Sequence, residues 1–157
     1  MIKIAQIYRA VTGAREPFHL EFKAEDFNIP EIKSDIIVEG QFMRMEEGVM
    51  MMIEKIEATQ STLCSRCAKP LKIPLEFTPS EWLFYEEKPH EDDDEDETLL
   101  LDSHRLELDP MEPVRQDLLL NLQAIPRCKK LCAKFEESKP EEEKTIKALA
   151  GLKDMLS

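Results

Sequence analysis

The chain of 157 residues contains no run of about 18 apolar residues, the length that a transmembrane helix needs. Its first residues, MIKIAQIY, also lack the long apolar core and the cleavage site of a secretory signal, and their alternation predicts a strand. Without an export signal, the four cysteines are not expected to form a disulfide framework. The sequence therefore predicts a cytoplasmic protein that makes no membrane contact.

Glycine and histidine are scarce, which argues against most catalytic sites. The four glycines are scattered singly, so the chain has no glycine-rich phosphate loop. The three histidines, His19, His90 and His104, have no partners at the spacing of a metal site or a catalytic triad. The sequence therefore predicts neither an enzyme nor a small-molecule substrate.

Negative charge is abundant but unevenly distributed. Residues 86–97, EEKPHEDDDEDE, hold nine carboxylates and one lysine, so they contribute −8 of the net charge of −12. A block of like charge cannot bury itself, which predicts a mobile acidic loop at 86–98 within one domain over residues 1–157. Two roles stay open for this loop: it keeps the protein in solution, or it docks on a basic partner.

The first half of the chain has the pattern of β-strands. Two apolar-rich runs flank the turn MEEG, where Gly48 is free to adopt a positive φ, and Ile36, Val38 and Phe42 share one face of the first run. The methionines at 50–52 favour a strand covered on both sides, and core filling is preferred over an adaptable binding surface.

A third strand is predicted in LKIPLEFTPSEWLFY. Its two prolines, Pro74 and Pro79, indicate an edge strand or a change of direction. The aromatic residues at its end could stack on bases, but no basic residues accompany them, so a core position is favoured.

Helices are predicted in the second half. Asp109 is a candidate N-cap for DPMEPVRQDLLLNLQ, where Val114, Leu118 and Leu122 recur on one face, and a C-terminal helical segment is expected at 140–156. The predicted fold class is α+β: a strongly bent antiparallel sheet, with a barrel-like form as one option, and a helix after the acidic loop.

The cysteines form two closely spaced pairs, Cys64-x2-Cys67 and Cys128-x3-Cys132. Four thiolates at about 2.3 Å complete a tetrahedral zinc site, which would join distant parts of the chain. Cysteines without a metal remain an alternative. Thiol redox chemistry is a weaker one, because it needs a cysteine at a helix N-terminus in a βαβ setting.

Positive charge is concentrated around these pairs in an otherwise acidic chain. It could compensate the negative charge of a four-thiolate zinc centre, or it could contact phosphates of RNA, and both interpretations stay open. The candidate contacts to RNA or a partner are Arg66, Lys69, Arg127, Lys129 and Lys130.

Several motifs together resemble the YceD family, the large ribosomal RNA subunit accumulation proteins. They are the VEG strand, a long hairpin ending in CSRC, the segment LELDPMEPVRQDLLLNLQAIPRC and the closing IKALAGLKDML. Many members carry further cysteines in the second half, where this chain has Ile125 and Phe135.

The resemblance implies a non-catalytic role in building the large ribosomal subunit or accumulating its RNA. The expected partners are ribosomal proteins or assembly factors of that subunit, with local contact to ribosomal RNA. The alternative is a zinc-stapled protein-interaction module that regulates an RNA-processing enzyme or another partner outside ribosome assembly.

Overall fold

The computed structural model describes residues 1–88 and 98–128. The predicted C-terminal helical segment at 140–156, and residues 89–97 of the predicted acidic loop, lie outside this part. The elements are, in chain order, β1 (Ile2–Lys3), α1 (Ala5–Tyr8), β2 (Arg15–Phe22), α2 (Ala24–Phe27), β3 (Ile36–Arg44), β4 (Gly48–Glu57), β5 (Thr59–Leu63), β6 (Pro70–Pro74), β7 (Ser80–Tyr85), β8 (Glu107–Leu108) and α3 (Met111–Leu120).

The fold is mostly β, with antiparallel sheets and few helices. The strands pair as a four-stranded sheet in the order β2-β3-β4-β7 and as two separate pairs, β5-β6 and β1-β8. Within residues 1–88 and 98–128, no sheet closes or curls on itself, so the barrel-like option is not seen there. Only Ala58 separates β4 from β5, and residues 75–79 separate β6 from β7, so the chain passes from one sheet to the other and back.

The core lies on one face of the four-stranded sheet. Ile36, Val38 and Phe42 are all buried, as their spacing predicts. In β4, Met51 is fully buried, which confirms a core position, whereas Met50 and Met52 are only half-buried on the opposite face.

Gly48 has a different role from the predicted one. Its φ is not positive, since Gly13 is the glycine with a positive φ in the described part of the chain. A Cβ atom at Gly48 would lie 1.8 Å from the carbonyl oxygen of Phe84. Gly48 is therefore needed because β7 approaches β4 closely at this point.

The N-terminal strand is shorter than its alternation predicts. Only Ile2 and Lys3 form a strand, paired with β8, and the next residues turn into the one-turn helix α1. Ile4, directly before this helix, and Ile7 within it are both buried in the core.

The prolines in the third predicted strand divide it in two. Pro74 ends β6, which pairs with β5, and Pro79 directly precedes β7, which forms an edge of the four-stranded sheet. The predicted change of direction is therefore a change of sheet.

The helix α3 begins one residue later than predicted, because Pro110 and not Asp109 is the residue that directly precedes its first turn. Asp109 Oδ1 accepts a hydrogen bond from the backbone N–H of Met111 at 3.1 Å, and Val114 and Leu118 are completely buried. No helix in the described ranges is long and apolar enough to cross a membrane.

A buried carboxylate connects α3 to β7. Asp117 is 3% exposed, and its Oδ2 accepts hydrogen bonds from Ser80 Oγ and from Trp82 Nε1, the latter at 3.2 Å. Burial raises the pKa of Asp117, while the hydrogen bonds from Ser80 and Trp82 lower it in part. This contact anchors Trp82 within the fold, in agreement with a core position for the aromatic residues.

Both ends of the acidic segment leave from the same place. The N–H of Tyr85 donates to the carbonyl of Leu99 at 2.9 Å, and the N–H of Leu101 donates to the carbonyl of Tyr85 at 3.0 Å. Glu86 forms an ion pair with Arg44 at 2.8 Å. The described residues on either side of the acidic segment therefore lie together at the end of β7, next to the tip of the β3–β4 hairpin.

Candidate metal centre

The first cysteine pair lies in the loop that joins β5 to β6. The N–H of Cys64 donates to the carbonyl of Lys69 at 2.8 Å, and the N–H of Ala68 donates to the carbonyl of Cys64 at 2.9 Å. Ala68 has a left-handed backbone, with φ of 55°. These contacts fold residues 64–69 into a tight loop that directs Cys64 and Cys67 to one side.

The third cysteine comes from the segment that follows α3. Ser65 holds this segment, because its N–H and its Oγ both donate to the carbonyl of Pro126, at 2.9 and 2.8 Å. Cys128 lies two residues further along and reaches the same side of the loop.

The three sulfurs are close enough to share one ion. The Sγ atoms of Cys64, Cys67 and Cys128 all lie within 4.8 Å of one another, and those of Cys67 and Cys128 are 3.7 Å apart. In a tetrahedral site with Zn–S distances of about 2.3 Å, two sulfurs lie about 3.8 Å apart. The separation is far beyond the roughly 2.05 Å of a disulfide. Three clustered cysteines of this geometry can bind a metal.

The fourth predicted ligand, Cys132, lies outside the described residues. The four-cysteine set therefore stays a prediction, with three members together and the fourth untested. The cysteine cluster is the one group of three or more histidine, cysteine or acidic side chains with metal-ligand spacing in the described ranges.

Local electrostatics favour the thiolate form of Cys64. Backbone N–H groups of Arg66, Cys67 and Cys128 hydrogen-bond its sulfur, that of Arg66 having the largest effect, and they lower the pKa to about 5 against the opposing effect of burial. A thiolate is the form that binds metals, so less proton displacement is needed at neutral pH.

The predicted cationic contacts are divided between described and undescribed residues. Arg66 is half-buried in the cysteine loop, whereas Lys69 and Arg127 are exposed. Arg127 and Lys72 line one cavity of about 260 Å³ beside the loop. Lys129 and Lys130 lie outside the described residues. Whether any of these cations contacts RNA stays a prediction.

The histidines in the described part of the chain lie away from the cysteines. His19 is exposed on β2 and contacts Glu21 and Glu39, and these hydrogen bonds, that of Glu21 first, raise its pKa. His104 lies in a turn, where its backbone N–H donates a hydrogen bond to Asp102 Oδ1. His90 lies in the undescribed acidic segment.

Sequence reasoning missed the residues that hold the cysteine loop in place. Ser65 is a small polar residue between two cysteines, and Gln60 is a buried glutamine within β5. A polar residue at a buried strand position was the available signal for Gln60. Nothing in the sequence indicated its partner, which lies 63 residues away.

A family model described as large ribosomal RNA subunit accumulation protein YceD matches residues 54–156. The match begins within β4 and includes all four cysteines, whereas β2 and β3 precede it. No curated protein and no solved structure matches the chain.

Proposed function

The chain belongs to the YceD family, which is linked to accumulation of the large ribosomal subunit RNA, and on that basis we propose that it is a non-catalytic factor in large-subunit assembly. The family is without known catalysis. The observation that carries the proposal is that the matched region includes the three clustered cysteines of the structure. The protein acts in the cytoplasm as a binding module.

A structural zinc ion is part of this proposal. Cys64, Cys67 and Cys128 hold it, with Cys132 as the predicted fourth ligand. When bound, zinc supplies a closed, inert cross-link between the β5–β6 hairpin and the segment after α3. The low pKa of Cys64 supports metal binding at neutral pH.

Two surfaces of opposite charge serve the partners. The acidic segment at 86–98 docks on basic ribosomal proteins or assembly factors, since complementary charge speeds association and selects partners. The cations beside the cysteines make local contact with ribosomal RNA. A net charge of −12 opposes extended RNA binding, because non-specific affinity depends on many phosphate contacts.

The test of the assembly role is affinity purification of the tagged full-length protein, with identification of both bound RNA and bound proteins. We expect precursors of the large-subunit RNA and large-subunit proteins, and co-sedimentation with precursor particles. Recovery of a single partner with no ribosomal particles would overturn the assembly role and favour the protein-interaction module outside ribosome assembly.

The RNA contact is tested by replacing Arg66, Lys69 and Arg127 with alanine. If these side chains contact phosphates, binding to a ribosomal RNA fragment weakens and its salt dependence falls by about one unit of slope for each lost contact.

A matched control replaces three exposed cations outside the β5–β6 hairpin and the segment after α3, namely Lys3, Arg9 and Arg15, with alanine. It changes the net charge equally. Equal weakening by both triple variants would show that only overall charge matters, and the local contact would then be rejected.

A further inference from the structure

Gln60 makes an unusual pair of hydrogen bonds. It is 4% exposed on β5, and its Nε2 donates to the carbonyl of Gln123 at 3.1 Å while its Oε1 accepts from the N–H of the same residue at 3.0 Å. One side-chain amide thus satisfies both backbone groups of a residue in the segment after α3. A buried amide without these partners would lose its hydrogen bonds to water without replacement.

The hydrogen bonds of Gln60 and Ser65 act in sequence along the same segment. Gln60 precedes Cys64 on β5 and holds Gln123, while Ser65 follows Cys64 and holds Pro126. The partner of the earlier residue, Gln60, precedes the partner of the later residue, Ser65, along the chain. The segment after α3 therefore runs parallel to β5 and into the cysteine loop. It therefore brings Cys128 to the other two sulfurs by protein contacts alone.

We propose that Gln60 is a positioning residue for the metal, which holds the segment after α3 so that the thiolate of Cys128 is in place before an ion binds. The proposal rests on the zinc site proposed above. Metal affinity increases when the ligands are already ordered before binding, because the entropy of ordering them is then lost during folding and not on binding. Gln60 touches no sulfur and acts only through the backbone of Gln123.

The test replaces Gln60 with leucine, which keeps the bulk and removes both hydrogen bonds. The dissociation constant for Zn²⁺ is measured on the reduced full-length chain by competition with a chromogenic chelator. We expect it to rise by about 10- to 100-fold, as is typical when groups that orient metal ligands are lost. In Co²⁺-loaded protein, the thiolate-to-cobalt absorption should decrease, since Cys128 would coordinate the ion in a smaller fraction of the molecules.

Two further variants calibrate the result. Gln41 lies on β3 and its Nε2 donates to Glu54 in an exposed position, so Gln41→Leu should leave the zinc affinity unchanged. Ser65→Ala removes the hydroxyl contact to Pro126 but keeps the backbone one, so its affinity should fall between wild type and Gln60→Leu.

The stability of the metal-free protein is measured separately by urea unfolding. If Gln60→Leu unfolds more easily but binds Zn²⁺ within twofold of wild type, Gln60 is an ordinary structural residue and the proposal is wrong. Should this variant not fold, Gln60→Glu retains an acceptor for the N–H of Gln123 and is measured in its place, with weaker Zn²⁺ binding again expected.

Failure of the zinc site itself is recognised in the wild-type protein. Purified wild-type protein that takes up no Zn²⁺ would overturn both the site and the role of Gln60. Loss of ribosomal partners with intact zinc binding would overturn the assembly role and leave the role of Gln60 supported by the affinity measurements.

Discussion

In the four-stranded sheet, β3, β4 and β7 bury apolar side chains such as Val38, Met51 and Phe84, whereas the β5–β6 hairpin and its loop bury only Gln60 and Cys64. The sheet is held by the removal of apolar surface from water. The hairpin is held instead by directed hydrogen bonds to the segment after α3, to which the proposed zinc ion would add a cross-link. A small region with so little apolar burial needs such cross-links to keep one conformation.

The largest loss of unfolding free energy is expected when the apolar core of the four-stranded sheet is damaged. Phe84→Ala removes a side chain that is 1% exposed, and such truncations cost about 3–5 kcal/mol of unfolding free energy. We expect the same loss in urea unfolding with and without a zinc chelator, because Phe84 belongs to the sheet. Leu100→Ala, at a side chain that is 52% exposed, should cost much less. A chelator-dependent loss in Phe84→Ala would mean that the two regions are not separable.

In contrast, the stability that depends on the β5–β6 hairpin should change when zinc is added or removed. With free Zn²⁺ at about a hundredfold over the dissociation constant, binding contributes roughly 3 kcal/mol to the unfolding free energy, and a chelator removes it. Cys128→Ser should show no such response to zinc or chelator. The measurement is the urea midpoint of both proteins with each addition. A wild-type midpoint that is independent of zinc would contradict the cross-link.

The contact of Asp117 between α3 and β7 should depend on pH. Its folded-state pKa is raised, so the folded protein holds the proton more tightly than the unfolded chain. The resulting stabilisation is complete below the unfolded-state pKa, near pH 4, and is lost as the pH rises through the folded-state pKa. Asp117→Asn removes this ionisation, so wild type should gain stability relative to Asp117→Asn as the pH falls from 7 towards 4.

A companion variant separates charge from hydrogen bonding. Asp117→Ala removes the acceptor of Ser80 and Trp82 and should cost roughly 1–3 kcal/mol at pH 7, measured by urea unfolding, and the cost should rise as the pH falls towards 4. A constant difference between wild type and Asp117→Asn across this pH range would show that the carboxyl group has the same pKa in the folded and unfolded states.

The smallest effect is expected in the cysteine loop. Ala68 has a left-handed backbone, which costs a residue with a Cβ atom about 1–2 kcal/mol, while glycine loses about 0.5–1 kcal/mol in the entropy of the unfolded chain. Ala68→Gly should therefore raise the unfolding free energy by up to about 1 kcal/mol. Ala124→Gly, at an exposed residue without a positive φ, should lower it. Equal effects of both changes would contradict strain at Ala68.

Periodic features of the sequence predicted much of the fold. The two-residue period placed Ile36, Val38 and Phe42 correctly in the core, and the helical period did the same for Val114 and Leu118. Both periods are local, so they need no knowledge of what lies opposite. A helix of four residues, such as α1, is too short to establish a period, and its residues look like a strand.

The site was predictable only as far as its chemistry is local. The spacing of Cys64 and Cys67 indicated that both could bind one metal ion. Cys128 was a candidate third ligand because the chain holds only two further cysteines. The contacts of Gln60 and Ser65 depend on backbone groups more than sixty residues away, and a hydrogen bond to a backbone group leaves no trace in the partner's side-chain identity. Ala68 also gave no signal, because alanine is not a residue that indicates a left-handed backbone.

The separation of 61 residues between Cys67 and Cys128 has a consequence during synthesis. At about 5–20 residues per second, the ribosome needs roughly 3–12 seconds to make this stretch. Cys64 and Cys67 are therefore made before the third sulfur of the cluster exists, so for that interval the loop offers only two of the three sulfurs. Newly made chains should therefore be more sensitive to thiol oxidation than completed ones.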